Sequence, residues 1–172
     1  MDAHYDLVMK ARDSAGQGTR KYFAYSTILD RDAFVEWRSQ HGYDFFELPK
    51  GELGEARDLS LVYDFPSRWW GGRVAGLADA PGTRVCGVVF DIAEKDWPII
   101  QHKEGAVTGM CVERPVTVTL SSGAIVEATA FTTNPTRKSL DGPVSPRFVD
   151  ALVRGARSAG LSEAWVHSLK GA

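Results

Sequence analysis

Short β-prone runs separated by turn residues fill the middle of this chain, and their spacing constrains the fold more than any other feature. Val112 to Leu120 and Ala124 to Thr132 are rich in valine and threonine and flank Ser121-Ser122-Gly123, which reads as a hairpin. Lys21 to Tyr25 is a compact strand signal that stops at Ser26-Thr27, and Leu59 to Phe65 is another. Arg73 to Ala78 and Arg84 to Ile92 are joined by Asp79-Ala80-Pro81-Gly82, a turn that predicts an antiparallel hairpin. Around these runs lie helical signals. Asp30 is placed to cap a helix burying Phe34 and Trp37 and ending at Gly42, and Asp96 to Ile100 has the spacing of a short helix. Ser145-Pro146 starts a helix striped by Phe148, Val149, Leu152, Val153 and Ala156, which Gly160 closes before a short piece at Trp165, Val166 and Leu169. The expected architecture is α+β: a mainly antiparallel, closed or barrel-like sheet with two or three flanking helices. Residues 1–20 read as an N-terminal arm with the spacing for a short helix, broken at Gly16-Gln17-Gly18.

Bulk properties narrow the function. The 172 residues are 44% hydrophobic and 24% charged, ordinary for one globular domain. A net charge of -2, without a lysine or arginine run, removes the electrostatic argument for a nucleic-acid partner. No apolar stretch approaches the roughly 20 residues that span a bilayer, and the polar first twenty residues lack a secretory h-region. The expectation is therefore a cytoplasmic protein, without a membrane partner, working as a monomer or homodimer. Cys86 and Cys111 are read as small buried apolar residues, and the four histidines are too far apart in sequence to suggest a metal site.

The segment from His102 to Met110 carries the chemical signal. It seats Glu104 where a short helix gives way to a strand, between that helix and the flexible backbone of Gly105 and Gly109. Taken alone, a loop carboxylate is usually just solvated. His102 is expected to be solvated too, since two residues along a helical tail point side chains apart.

Three further segments accompany it: Tyr22-Phe23-Ala24-Tyr25-Ser26-Thr27-Ile28-Leu29, Trp69-Trp70-Gly71-Gly72-Arg73-Val74-Ala75, and Val85-Cys86-Gly87-Val88-Val89-Phe90. With Lys103 to Met110 and the Ser145-Pro146 helix, their order and content resemble the gamma-glutamyl cyclotransferases over roughly residues 21 to 166. The resemblance implies a single domain over residues 21–172 that needs no cofactor and takes a small-molecule gamma-glutamyl substrate. It implies intramolecular aminolysis: the α-amine attacks its own γ-carbonyl, forms 5-oxoproline and expels an amine or amino acid. Glu104 would be the general base and acid. Tyr25, Ser26, Thr27, Ile28, Leu29, Gly72, Gly105 and Phe131 would meet the substrate, the turn at 25–29 through its backbone N–H groups.

The chain departs from the family pattern at Ser26, Thr27 and Ile28, where glycine, serine and asparagine are usual, and at Cys111 and Phe131, where tyrosine is usual. A more apolar pocket with a shifted substrate preference follows. A non-catalytic binding module of the same fold is the alternative. Glycoside hydrolysis through Asp91 and Glu113 has nothing in the sequence to join those carboxylates, and no Gly-x-Ser-x-Gly elbow supports a serine hydrolase. Trp69 and Trp70 are read as core or rim packing, and Arg73 and Arg84 as surface ion-pair partners.

Overall fold

The computed structural model describes residues 3–171. The strands are β1 (Thr19–Ala24), β2 (Glu52–Ser67), β3 (Gly72–Ala93), β4 (Cys111–Leu120) and β5 (Ile125–Thr133). They close into a barrel in the order β1-β3-β2-β4-β5. Neighbours pair antiparallel except at the closure, where β1 meets β5 in parallel through Tyr22 and Thr129. The sheet is thus mixed, within the α+β barrel anticipated. Alternation along β1 sends Phe23 and Tyr25 into the barrel, with Leu77, Val85, Val89, Val116, Val118 and Ala130. Tyr22 and Ala24 take the opposite face and join an outer core that includes Phe90, Ile92, Trp97 and Ile100.

Among the described residues five α-helices surround the barrel, where two or three were expected: α1 (Tyr5–Asp13), α2 (Arg31–Gln40), α3 (Trp97–Lys103), α4 (Pro146–Ser158) and α5 (Glu163–Leu169). The surplus comes from short segments that would be marginal alone and persist because each packs an apolar edge. Helix α1 buries Val8, stacks Tyr5 on Tyr43 at 5.7 Å and pairs Arg12 with Asp96 at 2.9 Å, which docks the N-terminal arm beside α3. Helix α5 buries Val166 and Leu169. No helix among the described residues is long and apolar enough to cross a membrane.

Two local expectations are corrected. The Asp79-Ala80-Pro81-Gly82 segment does not reverse the chain; β3 runs through it, with residues on both sides paired to β2. Arg57 faces Arg84 while Leu59 faces Asp79, so residues 80–83 bulge outward opposite Asp58. The turn chemistry is present, since Gly82 N–H donates to Asp58 Oδ1 at 3.0 Å and Thr83 Oγ1 to Ala80 O at 2.6 Å. The chain then re-enters the strand it left, which makes the segment a bulge. The reversal lies at residues 68–71, where Trp69 stays 72% exposed and Trp70 packs edge-on to Phe148. At the second site Asp30 precedes α2 without capping it. Its carboxylate instead accepts from Arg154 of α4 at 3.2 Å, because a charge-assisted pair outweighs a cap bond.

Helix α4 begins as expected, with Ser145 Oγ accepting from Phe148 N–H at 3.1 Å. It lies flush on the turn that follows β1: a Cβ on Gly155 would stand 2.6 Å from Asp30 N and 2.8 Å from Leu29 C. Gly155→Ala should therefore overpack this contact and cost about 1–3 kcal/mol, at about 2–4 °C of Tm per kcal/mol for a chain of this size. Calorimetric melting of the variant checks this, and an unchanged Tm would mean that α4 is free to shift.

Candidate active site

Glu104 terminates α3, its N–H bonded to Ile100 O at 2.9 Å. Gly105 and Gly109 follow with φ of +82° and +73°, conformations that residues with a Cβ adopt at a cost. The loop between them is pinned at both ends. Gly105 O accepts from Met110 N and Cys111 N at 3.0 and 3.3 Å, and Asn134, just past β5, donates its Nδ2 to Gly109 O at 2.9 Å. The carboxylate therefore sits on a rigid mount.

From β1, the Tyr22 hydroxyl donates to Glu104 Oε1. The ring of Tyr22 is buried between Phe90, Trp97 and Phe131, with centroids 6.3, 6.1 and 6.0 Å away. Burial raises the Glu104 pKa, against the smaller lowering effects of Lys103 and of the Tyr22 hydrogen bond. Burial also carries the phenols of Tyr22 and Tyr25 well above their ordinary value, with Glu104's charge adding to it, so both remain neutral donors. Lys103 is shifted down by its own burial and lies over the Trp37 ring at 5.7 Å. The Cys111 thiol is pushed up to about 12 by burial, with Glu104 and Asp64 adding to it. Tyr22, Tyr25 and Cys111 thus hold their own protons around the Glu104 carboxyl.

The turn from Tyr25 to Leu29 leaves the end of β1 beside this carboxylate. Tyr25 is buried and its hydroxyl donates to Phe131 O. Ser26 has φ −115° and ψ −157°, extended backbone that needs no glycine, so the serine does not by itself distort the turn. Thr27 to Leu29 form a single 3₁₀ turn in which Leu29 and Asp30 N–H bond to Ser26 and Thr27 carbonyls at 3.2 and 3.0 Å. The N–H groups of Thr27 and Ile28, at its start, have no acceptor within that turn. The Ile28 side chain joins the core cluster that holds Tyr22 and Phe90. Phe131 backs Tyr22. Gly72 is occupied elsewhere: a Cβ there would stand 2.8 Å from Ser145 N, so this glycine seats the start of α4 against the β2–β3 hairpin.

His102 is buried, not solvated, with its Nδ1 2.8 Å from the Tyr43 hydroxyl. The rings of His4, Trp37 and His41 stand around it at 5.5, 5.3 and 5.2 Å, because α1 and α2 pack over this face of α3. The two cysteines are free and half-buried. Among the described residues no group of three or more His, Cys, Asp or Glu is arranged for a metal ion. Asp91 pairs with Lys21 at 2.8 Å, while Glu113 accepts from Trp97 Nε1 at 2.6 Å, so each already has a partner. Arg84 pairs with Glu55 at 2.7 Å, whereas Arg73 bonds main-chain carbonyls of Tyr63 and Gly142 instead of a surface acid. Two residues went unread in the sequence. Tyr22 is 82 positions from Glu104 and looked like an ordinary strand aromatic. Asp64 lay inside an apolar run, and a charge in such a run was the available signal.

The model of the AIG2-like family matches residues 84–169, which include the Glu104 junction, β4, β5 and α4. Gamma-glutamylcyclotransferase of Bos taurus is 28% identical over 142 residues, 81% of this chain and 71% of the relative. A solved gamma-glutamyl cyclotransferase superposes with a TM-score of 0.72 at 23% identity, covering 88% of this chain and 86% of that one. YkqA of Bacillus subtilis gives a TM-score of 0.74 at 17% identity over 97% of this chain and 57% of its own. A yeast gamma-glutamyl cyclotransferase specific to glutathione gives 0.61 at 10% identity, over 90% and 93%. The chain belongs to the AIG2-like family and has the fold of the gamma-glutamyl cyclotransferases.

Proposed function

We propose that this protein is a gamma-glutamyl cyclotransferase, releasing 5-oxoproline and a free amine or amino acid from a gamma-glutamyl amide. The observation that carries the reading is the Glu104 carboxyl: buried enough to have a raised pKa, bonded by Tyr22 and fixed on a glycine-bounded mount. The substrate's α-nitrogen begins as an ammonium and cannot attack. Glu104 takes a proton from it, the freed lone pair adds to the γ-carbonyl carbon, and the carbonyl oxygen becomes an oxyanion. Collapse breaks the amide C–N bond, and Glu104 returns a proton to the departing nitrogen. In all, two protons pass from the α-nitrogen to the leaving nitrogen, which departs as an ammonium, and the ring nitrogen keeps one.

Nucleophile and carbonyl belong to one molecule, so the protein's main task is to hold the chain folded on itself. The N–H groups of Thr27 and Ile28 are assigned to the oxyanion or the α-carboxylate, since those of Leu29 and Asp30 are engaged within the turn. The apolar Ile28 and Phe131, together with the thiol of Cys111, suit a substrate with fewer polar contacts than the family pattern serves. The protein incubated with glutathione, gamma-glutamyl dipeptides, gamma-glutamyl-lysine and gamma-glutamyl amines should yield 5-oxoproline by mass spectrometry from at least one. Thermal stabilisation by such compounds without product would favour the binding module.

Glu104→Gln keeps the shape and the acceptor for Tyr22 but cannot carry a proton. It should lower kcat/KM by roughly 10²–10⁴-fold with the fold intact; a folded variant turning over at the parent rate would remove Glu104 from the mechanism. Its stability also has a definite sign. The folded chain holds the Glu104 proton to higher pH than the unfolded chain, so stability falls as pH rises through the interval between the ordinary and the raised value. Glu104→Gln should lose that fall, and melts across acid to neutral pH will show whether the two curves diverge.

The acid limb of the pH–rate profile should lie above the ordinary carboxylate range. Tyr22→Phe deletes a hydrogen bond that favours the ionised carboxylate, so the limb should move to still higher pH. A limb that stays in place would mean the phenol does not set the base.

A further inference from the structure

We infer that Asp64 recognises the α-ammonium group of the substrate's gamma-glutamyl unit, holding it for Glu104; this rests on the cyclotransferase reading above. Asp64 is a carboxylate only 7% exposed. Its place in β2 is irregular: Tyr63 faces Ala75 and Phe65 faces Val74, so Asp64 is the extra residue of a β-bulge. Such bulges re-aim a side chain that regular alternation would send elsewhere. The surroundings are shaped to the carboxylate. Thr133 Oγ1 donates to Oδ1 at 2.6 Å, and a Cβ on Gly76 would lie 2.6 Å from that same oxygen, so the glycine leaves its space.

The position is tied to Glu104 by consecutive contacts. Thr133 faces Cys111 across β4 and β5, and Cys111 N–H bonds to the carbonyl of Gly105, the residue after Glu104. Tyr25, where the substrate turn begins, feels the charge of both carboxylates. Yet among the described residues Asp64 has one side-chain hydrogen-bond donor and no cation; the adjacent Arg73 bonds main-chain carbonyls. A carboxylate so far from water is costly without a counter-charge. The gamma-glutamyl unit supplies one. An ammonium against Asp64 gains charge-assisted hydrogen bonds, and its carbon skeleton then sets the nitrogen beside the base. Because Asp64 favours the protonated nitrogen, its effect falls on binding, and Glu104 must remove the proton against it.

Calorimetry on the slowed Glu104→Gln protein tests this with gamma-glutamyl methylamide and glutaryl methylamide, which differ only in the α-ammonium and share a small leaving group. The gamma-glutamyl compound should bind roughly tenfold to a hundredfold tighter. Asp64→Asn in that background should abolish the preference, weakening the gamma-glutamyl compound and sparing the glutaryl one. In the otherwise wild-type chain Asp64→Asn should raise KM with kcat largely kept, a split that simple loosening of β2 would not produce. Equal affinity for both compounds, or a preference that survives Asp64→Asn, overturns the assignment, and the ligand comparison decides even if Asp64→Asn fails to fold. Release of 5-oxoproline by the wild-type chain is read separately: turnover without ammonium preference removes only Asp64's role, whereas absence of both turnover and binding removes the cyclotransferase reading itself.

Discussion

The hydrogen bond from Tyr22 to Glu104 is the contact on which the rest of the structure turns. Tyr22 is the residue through which β1 meets β5, and it also pairs with Phe90 of β3, so the barrel closes at the side chain that holds the carboxylate. Side chains alternate along a strand, and a slip of one residue would put Phe23 outside and Tyr22 in the barrel. Glu104 would then lose its phenol. Register, which the apolar pattern enforces to bury Phe23 and Tyr25 inside, therefore also fixes the electrostatics of a residue on the far side of the sheet.

The same dependence explains what was legible in the sequence. The place of Glu104 at a helix-to-strand junction is legible because it is written locally, as helix, carboxylate, two glycines and strand, whereas its role is suggested only by the companion motifs. The start of α4 was equally local, with Ser145 bonding Phe148 N–H as its position promised. Asp79 to Gly82 had strong local turn chemistry too, but whether a turn reverses a strand or bulges from it depends on the partner. Here β2 pairs with both sides. The burial of His102 has a related origin, since it comes from α1 and α2, elements remote in sequence whose docking no local pattern states. Asp30 had two uses available, a cap or Arg154, and only tertiary structure brings Arg154 near.

The turn at Ser26, Thr27 and Ile28 shows how a departure from a family pattern is absorbed. Ser26 lies in extended backbone, so the added Cβ meets no conformational barrier. The Ile28 side chain is taken up by the outer core, and Gly155 lets α4 press the turn from behind. Main-chain donors can keep their positions while the side-chain chemistry is exchanged.

A buried carboxylate titrates on its own only if its neighbours do not exchange the same proton. Tyr22, Tyr25 and Cys111 could in principle ionise, but burial and the charge of Glu104 raise all three, which keeps them protonated where Glu104 titrates. The ordering sustains itself. An ionised Glu104 raises the cost of losing any neighbouring proton, and the neutral Tyr22 hydroxyl in turn stabilises the ionised Glu104. Burial thus does two things at once: it raises the Glu104 carboxyl above its ordinary value and keeps the protons on Tyr22, Tyr25 and Cys111. The fold accepts the cost of a partly buried charge at the end of a seven-residue helix, and the pinned loop from Gly105 to Cys111 keeps that charge from escaping to solvent.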